Sequence, residues 1–365
     1  MECGSIKLYI GPTKSGKTTE LIRQINRFLI KDKKICVVIS QLSKVNKFEK
    51  LNVNIILTYS LESILENAFF LNSDIIVIDD IHFFTDIYET LILVDKMPKK
   101  IYCSGLDVDQ DRKIYKNVVK LIPLCEEVIK FYGLCNSCKN GTPGIFSSLS
   151  DKNHFIPLCR SCTTKNKSSG FLHVICGPMF SGKTTELIRI CNQYNSIGYN
   201  ILSVNYSKDK RYDNNGNICS HNREMFNTTL SLIDLNDLIN YENIKNYEII
   251  VIDEVQFLKN AFNSILYLVE NMGKTVIVSG LDGDFRRVPF GDVCSLIAFA
   301  DKMTRLTAVC KLSKNFEDAP FSRRICNSEE NELIGGAESY IAASRTIYLM
   351  EDKEIQKLLF PEVLQ

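Results

Sequence analysis

An excess of either charge is missing from this sequence: 44 lysines and arginines face 43 aspartates and glutamates, a formal net charge of +1. A nucleic-acid footprint needs a basic face, so this balance argues against nucleic acid as a partner. The short basic runs at Lys31 to Lys34 and Lys165 to Lys167 read as solvated faces or linker. Long apolar runs are missing too. None approaches the ~18 residues of a membrane span, so no membrane partner is expected. The opening MECGSIKLYI has no charged, apolar and small-residue succession of a secretory leader. A cytoplasmic chain is therefore expected, whose 14 cysteines stay reduced and serve as buried filler, metal ligands or nucleophiles rather than disulfides. The rest is ordinary: 365 residues, 45% hydrophobic and 24% charged, enough for two domains with their own cores.

The chain repeats itself once. IKLYIGPTKSGKTTELIRQINRF at 6–28 returns as LHVICGPMFSGKTTELIRICNQY at 172–194, DIIVIDDIHFF at 74–84 as EIIVIDEVQFL at 248–258, and IYCSGLDVD at 101–109 as VIVSGLDGD at 276–284. The period is a whole domain. Boundaries of 1–166 and 167–365 follow, with the polar stretch Thr163 to Ser169 as linker. The offset between copies grows along the chain, from 166 at Lys17 and Lys183 to 174 at Asp79 and Asp253, then 175 at Cys135 and Cys310. The first copy is thus 8 residues shorter between its Gly-rich turn and its acidic strand, where the second carries NYSKDKRYDNNGNICSHN and the first only QLSKVNKF. It is another 10 shorter before its last cysteine pair, which aligns with Ser344 and Ile347 at an offset of 185. Strand, Gly-rich turn, helix, then unbroken apolar runs such as IIVID predict α/β domains with RecA-like parallel sheets buried on both faces.

G-x-x-x-x-G-K-T occurs at Gly11 to Thr18 and at Gly177 to Thr184. Backbone N–H groups of Gly177, Pro178's neighbours Met179 and Phe180, Ser181 and Gly182 would cradle phosphates, Lys183 would reach the β and γ groups, and Thr184 would meet Mg²⁺. Gly11, Ser15, Gly16, Lys17 and Thr18 are the corresponding candidates in the first copy. After the second apolar strand come Asp253, suited to orienting Mg²⁺, and Glu254, suited to taking a hydroxyl proton. Motif chemistry alone leaves a motor-ATPase acid pair open. Met179 and Phe180, and likewise Phe257, Phe285 and Phe290, read equally as packing or as contacts to a base. His173 and His221 read as core or surface residues. Cys135-x-x-Cys138 and Cys159-x-x-Cys162, with 20 residues between the pairs, have the spacing of a four-thiolate zinc site, against the alternative of four buried thiols. The second copy keeps one of the four, with Cys310, Ser313, Ser344 and Ile347 in those places.

GPMFSGKTTEL (177–187), KDKRY (208–212), DEVQF (253–257), VSGLDGDFRRVPFGDV (278–293), RLTAVC (305–310) and IGGAESY (334–340) occur in order. On these motifs the second copy resembles the type II, zinc-ribbon thymidine kinases over nearly all of 171–350. The resemblance implies transfer of the ATP γ-phosphoryl to the thymidine 5′-hydroxyl, with Glu254 as base and Lys183 required. It implies ATP and Mg²⁺ contacts by the P-loop, Asp209, Arg211, Asp253 and Gln256. It also implies a thymine pocket of Met179, Phe257, Leu281, Phe285 and Phe290, and a lasso loop of Asn331, Glu332, Leu333, Ile334 and Gly335 holding the base, with Tyr340 near the sugar. Gly335-Gly336 permits the close backbone approach this needs. One structural Zn²⁺ per chain, dTTP as feedback inhibitor, and a homo-oligomer (two chains as a pseudo-tetramer) complete what it implies.

The two copies depart from that pattern in complementary ways. The second has lost the zinc ligands, so packing around Ile347 is expected to anchor its lasso. The first keeps them but has Thr13 for Met179, Gln110 for Phe285, Asp80 for Glu254, Phe155 for Tyr340 and no D-x-R-Y loop. An active second copy beside a scaffold or pseudokinase first copy is the leading expectation. A non-catalytic nucleotide sensor and a RecA-like ATPase are the competitors, the latter requiring a basic channel.

Overall fold

The computed structural model describes residues 4–43, 47–150, 152–166, 169–208, 218–219, 225–313, 315–326 and 336–359. The chain divides into two compact units, Met1–Thr163 and Thr164–Gln365. The first two residues of the expected linker fall in the helix Arg160–Thr164, and Asn166 then donates to Glu270 O at 2.6 Å in the second unit.

In the first unit six strands form one parallel sheet: β1 Ser5–Ile10, β2 Ile35–Ser40, β3 Asn54–Thr58, β4 Ile75–Asp79, β5 Lys100–Gly105 and β6 Glu127–Lys130. Their order is β3-β2-β4-β5-β1-β6. Every residue of β2 and β4 is buried, which is why these strands read as continuous apolar runs rather than alternating ones. The helix Lys17–Leu29 lays Leu21 and Ile25, one turn apart, on Val37, Val77 and Tyr102 of the sheet.

A small ribbon follows, of β7 Gly133–Leu134 paired with β8 Pro143–Gly144, and β9 Phe146–Leu149 paired with β10 Phe155–Leu158. The cysteine pairs sit just after β7 and β10, so both reach the same end of the ribbon.

The second unit repeats the plan with β11 Phe171–Cys176, β12 Ile201–Tyr206, a short pair β13 Ile218–Cys219 and β14 Met225–Phe226, then β15 Leu230–Leu232, β16 Ile249–Ile252, β17 Thr275–Gly280 and β18 Lys302–Arg305. The sheet order is β15-β12-β16-β17-β11-β18, again all parallel. The ribbon's counterpart is β19 Ala308–Val309 with β20 Asp318–Ala319, and β21 Phe321–Arg324 with β22 Tyr340–Ala343.

The two size differences between copies land in connections. Ser40 pairs with Thr58, 18 residues on, whereas Tyr206 pairs with Leu232, 26 residues on. Five residues join β9 to β10, whereas 15 join β21 to β22. The sheets themselves are untouched. Among the described residues no helix is long and apolar enough to cross a membrane.

Two devices recur in both units. A buried ion pair closes the sheet beneath the Gly-rich turn: Lys130 Nζ to Asp107 Oδ2 at 2.5 Å, and Arg305 Nε to Asp282 Oδ2 at 2.7 Å. An aromatic ring on the ribbon lies between two guanidiniums, Phe146 between Arg112 and Arg160 at 4.8 and 5.6 Å, and Phe321 between Arg287 and Arg345 at 5.1 and 5.4 Å.

The ion pair makes a testable statement. Arg305→Met leaves Asp282 buried without its cation, which is expected to cost the second unit about 3–5 kcal/mol in denaturant unfolding. Arg305→Lys is expected to cost far less, because the first unit already uses lysine there. A loss for Arg305→Met within the ~0.5 kcal/mol of a surface substitution would show that the pair is not structural.

Candidate functional site

Both Gly-rich turns leave the carboxyl end of the first strand and enter a helix, Lys17–Leu29 or Lys183–Ser196, whose first N–H groups face the turn. Gly11 and Gly177 hold φ of 137° and 144°, and a Cβ on either would come within 2.2 Å of a carbonyl, Phe131 O or Leu306 O. Only glycine lets the turn lie this close to the segment after β6 or β18. In the second copy Ser181 Oγ and Lys183 Nζ donate to Pro178 O at 2.9 and 2.7 Å. Met179 N–H donates to Ser322 Oγ on β21 at 2.9 Å, fastening the Gly-rich turn to the hairpin of β21 and β22.

The acid pair stands two strands away, with β17 between. Asp253 is buried at the end of β16, where its carboxylate accepts from the Ser279 and Thr184 hydroxyls and from Glu254 N–H at 3.0 Å. Burial, then the neighbouring charge of Glu254, pushes its carboxyl up to about 6 despite those donors. Glu254 follows in the left-handed region, at φ 52° and ψ 40°, a backbone state uncommon outside glycine and asparagine. Its Oε2 accepts from Gln256 Nε2 at 2.5 Å, and Gln256 Oε1 accepts from Leu281 N–H at 3.1 Å. The buried Gln256, expected among the ATP and metal contacts, therefore uses both ends of its amide on protein, clamping Glu254 to the end of β17.

The aromatic side of the site divides in two. Phe257 stacks on Tyr206, with centroids 5.2 Å apart and planes 20° off parallel, and meets Phe290 edge-on at 5.3 Å. Phe285 lies under the Arg324 guanidinium at 3.7 Å, and Arg324 also donates to the Tyr340 hydroxyl at 2.7 Å. Phe285 O accepts from the Tyr348 hydroxyl at 2.8 Å. Arg324 and Tyr340 are cross-strand partners on β21 and β22, so the hairpin register sets this contact. Tyr206, Ser279, Ser322 and Arg324 joined the site without being singled out by the sequence. Tyr206 had one local signal, a large aromatic at the end of an apolar strand. The others are recognisable only from who they meet in space. Asp209, Arg211, His221 and Asn331 to Gly335 lie outside the described residues. His173 bonds Thr304 Oγ1 at 2.9 Å, and burial draws its imidazolium down to about 4, as suits a neutral core histidine.

The first copy keeps the lysine, threonine and acid of this corner and differs around them. Lys17 Nζ donates to Gly11 O, Pro12 O and Ser15 Oγ at 2.9, 2.6 and 3.3 Å, and burial draws its ammonium down to about 8. Thr18 donates to Asp79 Oδ2 at 2.9 Å, while Asp79 Oδ1 accepts from the Ser104 hydroxyl and from Asp80 N–H at 3.0 Å. Burial raises the Asp79 carboxyl as it does that of Asp253. Asp80 holds the same left-handed geometry as Glu254, φ 53° and ψ 43°. His82 stands in the place of Gln256. Its Nδ1 accepts from Leu106 N–H at 3.3 Å, and the ring lies between Phe83 and Tyr115 at 4.3 and 5.1 Å. Burial draws it down to about 4, so it is neutral near pH 7.

The four ribbon cysteines converge. Their sulfurs lie within 4.8 Å of one another, with Cys138 to Cys159 at 3.7 Å and Cys138 to Cys162 at 3.5 Å. Four thiolates about 2.3 Å from a common ion stand roughly 3.8 Å apart, so the spacing fits a tetrahedral zinc. Burial works against ionising Cys135, but N–H groups of Cys138, Cys159 and Ser137 aim at its sulfur and bring the thiol down to about 6. In the second copy Cys310 and Ile347 instead share an apolar cluster with Ala308, Ala319, Ala342, Ala343 and Ile355, the last from the helix Asp352–Leu359.

Comparison with known proteins identifies the family of both units. The thymidine kinase family model matches residues 4–162 and again 170–348. The thymidine kinase of sheeppox virus is 42% identical over 182 residues, covering 50% of this chain and 98% of its own. Thymidine kinase 1 of Dictyostelium discoideum is 41% identical over 189 residues, covering 51% and 81%, and the vaccinia virus enzyme of strain Western Reserve 38% over 185, covering 50% and 98%. Two successive stretches with the same fold, the same turn and the same acid position, each matched in full by one family, make this chain a member of the thymidine kinase family that carries the family's domain twice.

Proposed function

We propose that the second copy moves the γ-phosphoryl of ATP onto the 5′-hydroxyl of thymidine, with Glu254 as the base. The observation that carries this reading is the Glu254 carboxylate, held by Gln256 beside the corner formed by Asp253, Thr184 and the phosphate turn. Lys183 and the turn's N–H groups orient the triphosphate. Thr184 and Asp253, a hydroxyl and a carboxylate, suit a hard cation. Bound there with ATP, Mg²⁺ would neutralise charge on the β and γ oxygens. Glu254 accepts the proton of the sugar hydroxyl as it attacks the γ-phosphorus, and the ADP oxygen leaves on the opposite side. Phe257, Phe285, Phe290, Leu281, Met179 and Tyr340 enclose the nucleoside, with Asp209, Arg211 and Asn331 to Gly335 completing the phosphate and base contacts. Excluding water there favours a sugar hydroxyl over hydrolysis. A nucleoside triphosphate such as dTTP, filling both subsites, would inhibit.

The first copy, in this reading, binds phosphates without catalysing. Asp80 carries its carboxylate one methylene short of Glu254, His82 offers it no side-chain amide clamp, and a five-residue connection replaces the 15-residue lasso. Its ribbon holds one Zn²⁺ on Cys135, Cys138, Cys159 and Cys162, which ties the two knuckles together. The copy is retained as a scaffold, with two chains forming a pseudo-tetramer of four domains.

Three outcomes test this. With thymidine and [γ-³²P]ATP, Lys183→Ala and Glu254→Gln are expected to lose ~10²–10⁴ in kcat, the usual cost of a missing base for the latter, while Lys17→Ala stays near wild type. Equal losses for Lys17→Ala and Lys183→Ala would end the division of labour. Elemental analysis should find about one zinc per chain, lost on Cys135→Ser with Cys138→Ser. Retention in that double variant would place the ion elsewhere. Light scattering should give a dimer of chains, and a fully active monomer would remove the interface as the reason the first copy persists.

A further inference from the structure

The connection between β2 and β3 is the shortened remnant of the loop that in the second copy contains Asp209 and Arg211. Lys47 lies on it. Its Nζ is 3.4 Å from Thr18 Oγ1. The Thr18 proton is already given to Asp79 Oδ2 at 2.9 Å, so the hydroxyl meets Lys47 with a lone pair. That lone pair is what a P-loop threonine offers to a divalent cation. An ammonium already on it competes with the metal for space and repels it. Asp79 carries the same three kinds of donor as Asp253, here Ser104, the Asp80 N–H and Thr18, so it is the ammonium on Thr18 that sets this corner against a cation. The donor set of the first copy therefore does not fit a resident Mg²⁺.

The tip of the turn supplies an independent observation. Where the second copy has Met179 and Phe180, the first has Thr13 and Lys14, and Lys14 is exposed in the left-handed region at φ 55°. Phe180 holds the same backbone state at φ 64°, so an aromatic has been exchanged for a cation with the turn unchanged. Lys14 and Lys17 thus belong to the turn itself and Lys47 reaches its Thr18, and the successive backbone N–H groups of such a turn bind anions.

We propose that the first copy binds a polyphosphate anion, a nucleoside triphosphate or inorganic tripolyphosphate, in its metal-free form, with Lys47 supplying at Thr18 the positive charge that a divalent cation supplies in an active kinase. This rests on reading the first copy as a phosphate-binding domain. It adds the chemical form of the ligand. Free and Mg²⁺-bound ATP then partition between the two copies, the second taking the complex and the first the free anion.

The test uses the full-length chain with Lys183→Ala, which disables the second phosphate turn, and titrates ATP and tripolyphosphate calorimetrically in EDTA and in excess Mg²⁺. Adding Lys17→Ala supplies the blank. Binding in EDTA is expected, weakened about tenfold or more by Mg²⁺, and Lys47→Met should weaken the EDTA binding by about tenfold, as for one charge-assisted contact. Lys47 is exposed, so the methionine variant should fold, and Lys47→Glu should be worse still. Binding of ATP alone would identify a nucleotide as the ligand. Binding of both would identify the polyphosphate chain. Binding that requires Mg²⁺, or that Lys47→Met leaves unchanged, overturns the inference and leaves the phosphate site standing. No binding under either condition refutes the phosphate-binding reading itself.

Discussion

Asp253 and its counterpart Asp79 put a carboxylate where water does not reach, at the carboxyl edge of a parallel sheet, and the surroundings of each are arranged to satisfy it. A hydroxyl from the neighbouring strand, a threonine from the phosphate turn and the N–H of the following residue all donate to it. Meeting those donors requires the turn and the acidic strand to be held within one hydrogen bond of each other, which is the distance a bridging cation would also need. The next residue is forced into the left-handed region by the sharp departure from the strand. That departure aims the Glu254 side chain where Gln256 can hold it.

The ribbon shows two physical solutions to one problem. A hairpin of four-residue strands has too little area to hold itself in place. In the first unit four converging sulfurs supply a closure suited to a metal. In the second an apolar cluster around Ile347, sealed by Ile355 of the last described helix, occupies the equivalent end. Arg323 strengthens it by donating to Tyr348 O at 3.0 Å and Asp352 Oδ1 at 2.7 Å. What both units keep is the ring between two guanidiniums, Phe146 or Phe321. This contact needs no metal, so it survives whichever closure is used. Ser147 and Ser322, next to those rings, each bond the phosphate turn, at Thr13 N–H and Met179 N–H. The ribbon is therefore coupled to the Gly-rich turn in both copies, by the same bond.

The copies have diverged by exchanging side chains on a retained backbone. His82 for Gln256 keeps the bond to the β5 or β17 terminus but offers no second amide group to a carboxylate. Lys14 for Phe180 keeps the turn and changes its charge. Both shortened connections lie outside the sheets, where chain length changes with little cost to packing.

The duplication, the phosphate turns, the acid positions, the thiolate spacing and the lengths and places of the two shortened connections were all legible in the linear order of residues. Each depends on neighbours a few positions apart, or on comparing one half of the chain with the other. Phosphate binding uses consecutive backbone N–H groups, so its signature is local by necessity, and buried parallel strands declare themselves as apolar runs. Tertiary structure alone decided which side chains complete the site. Ser322 reaches Met179 from 143 residues away, Gln256 turns to Glu254 and Leu281, Arg324 lies between Phe285 and Tyr340, and Lys47 comes to rest on Thr18. Such contacts depend on strand register and on the path of long connections, which no local pattern of residues encodes.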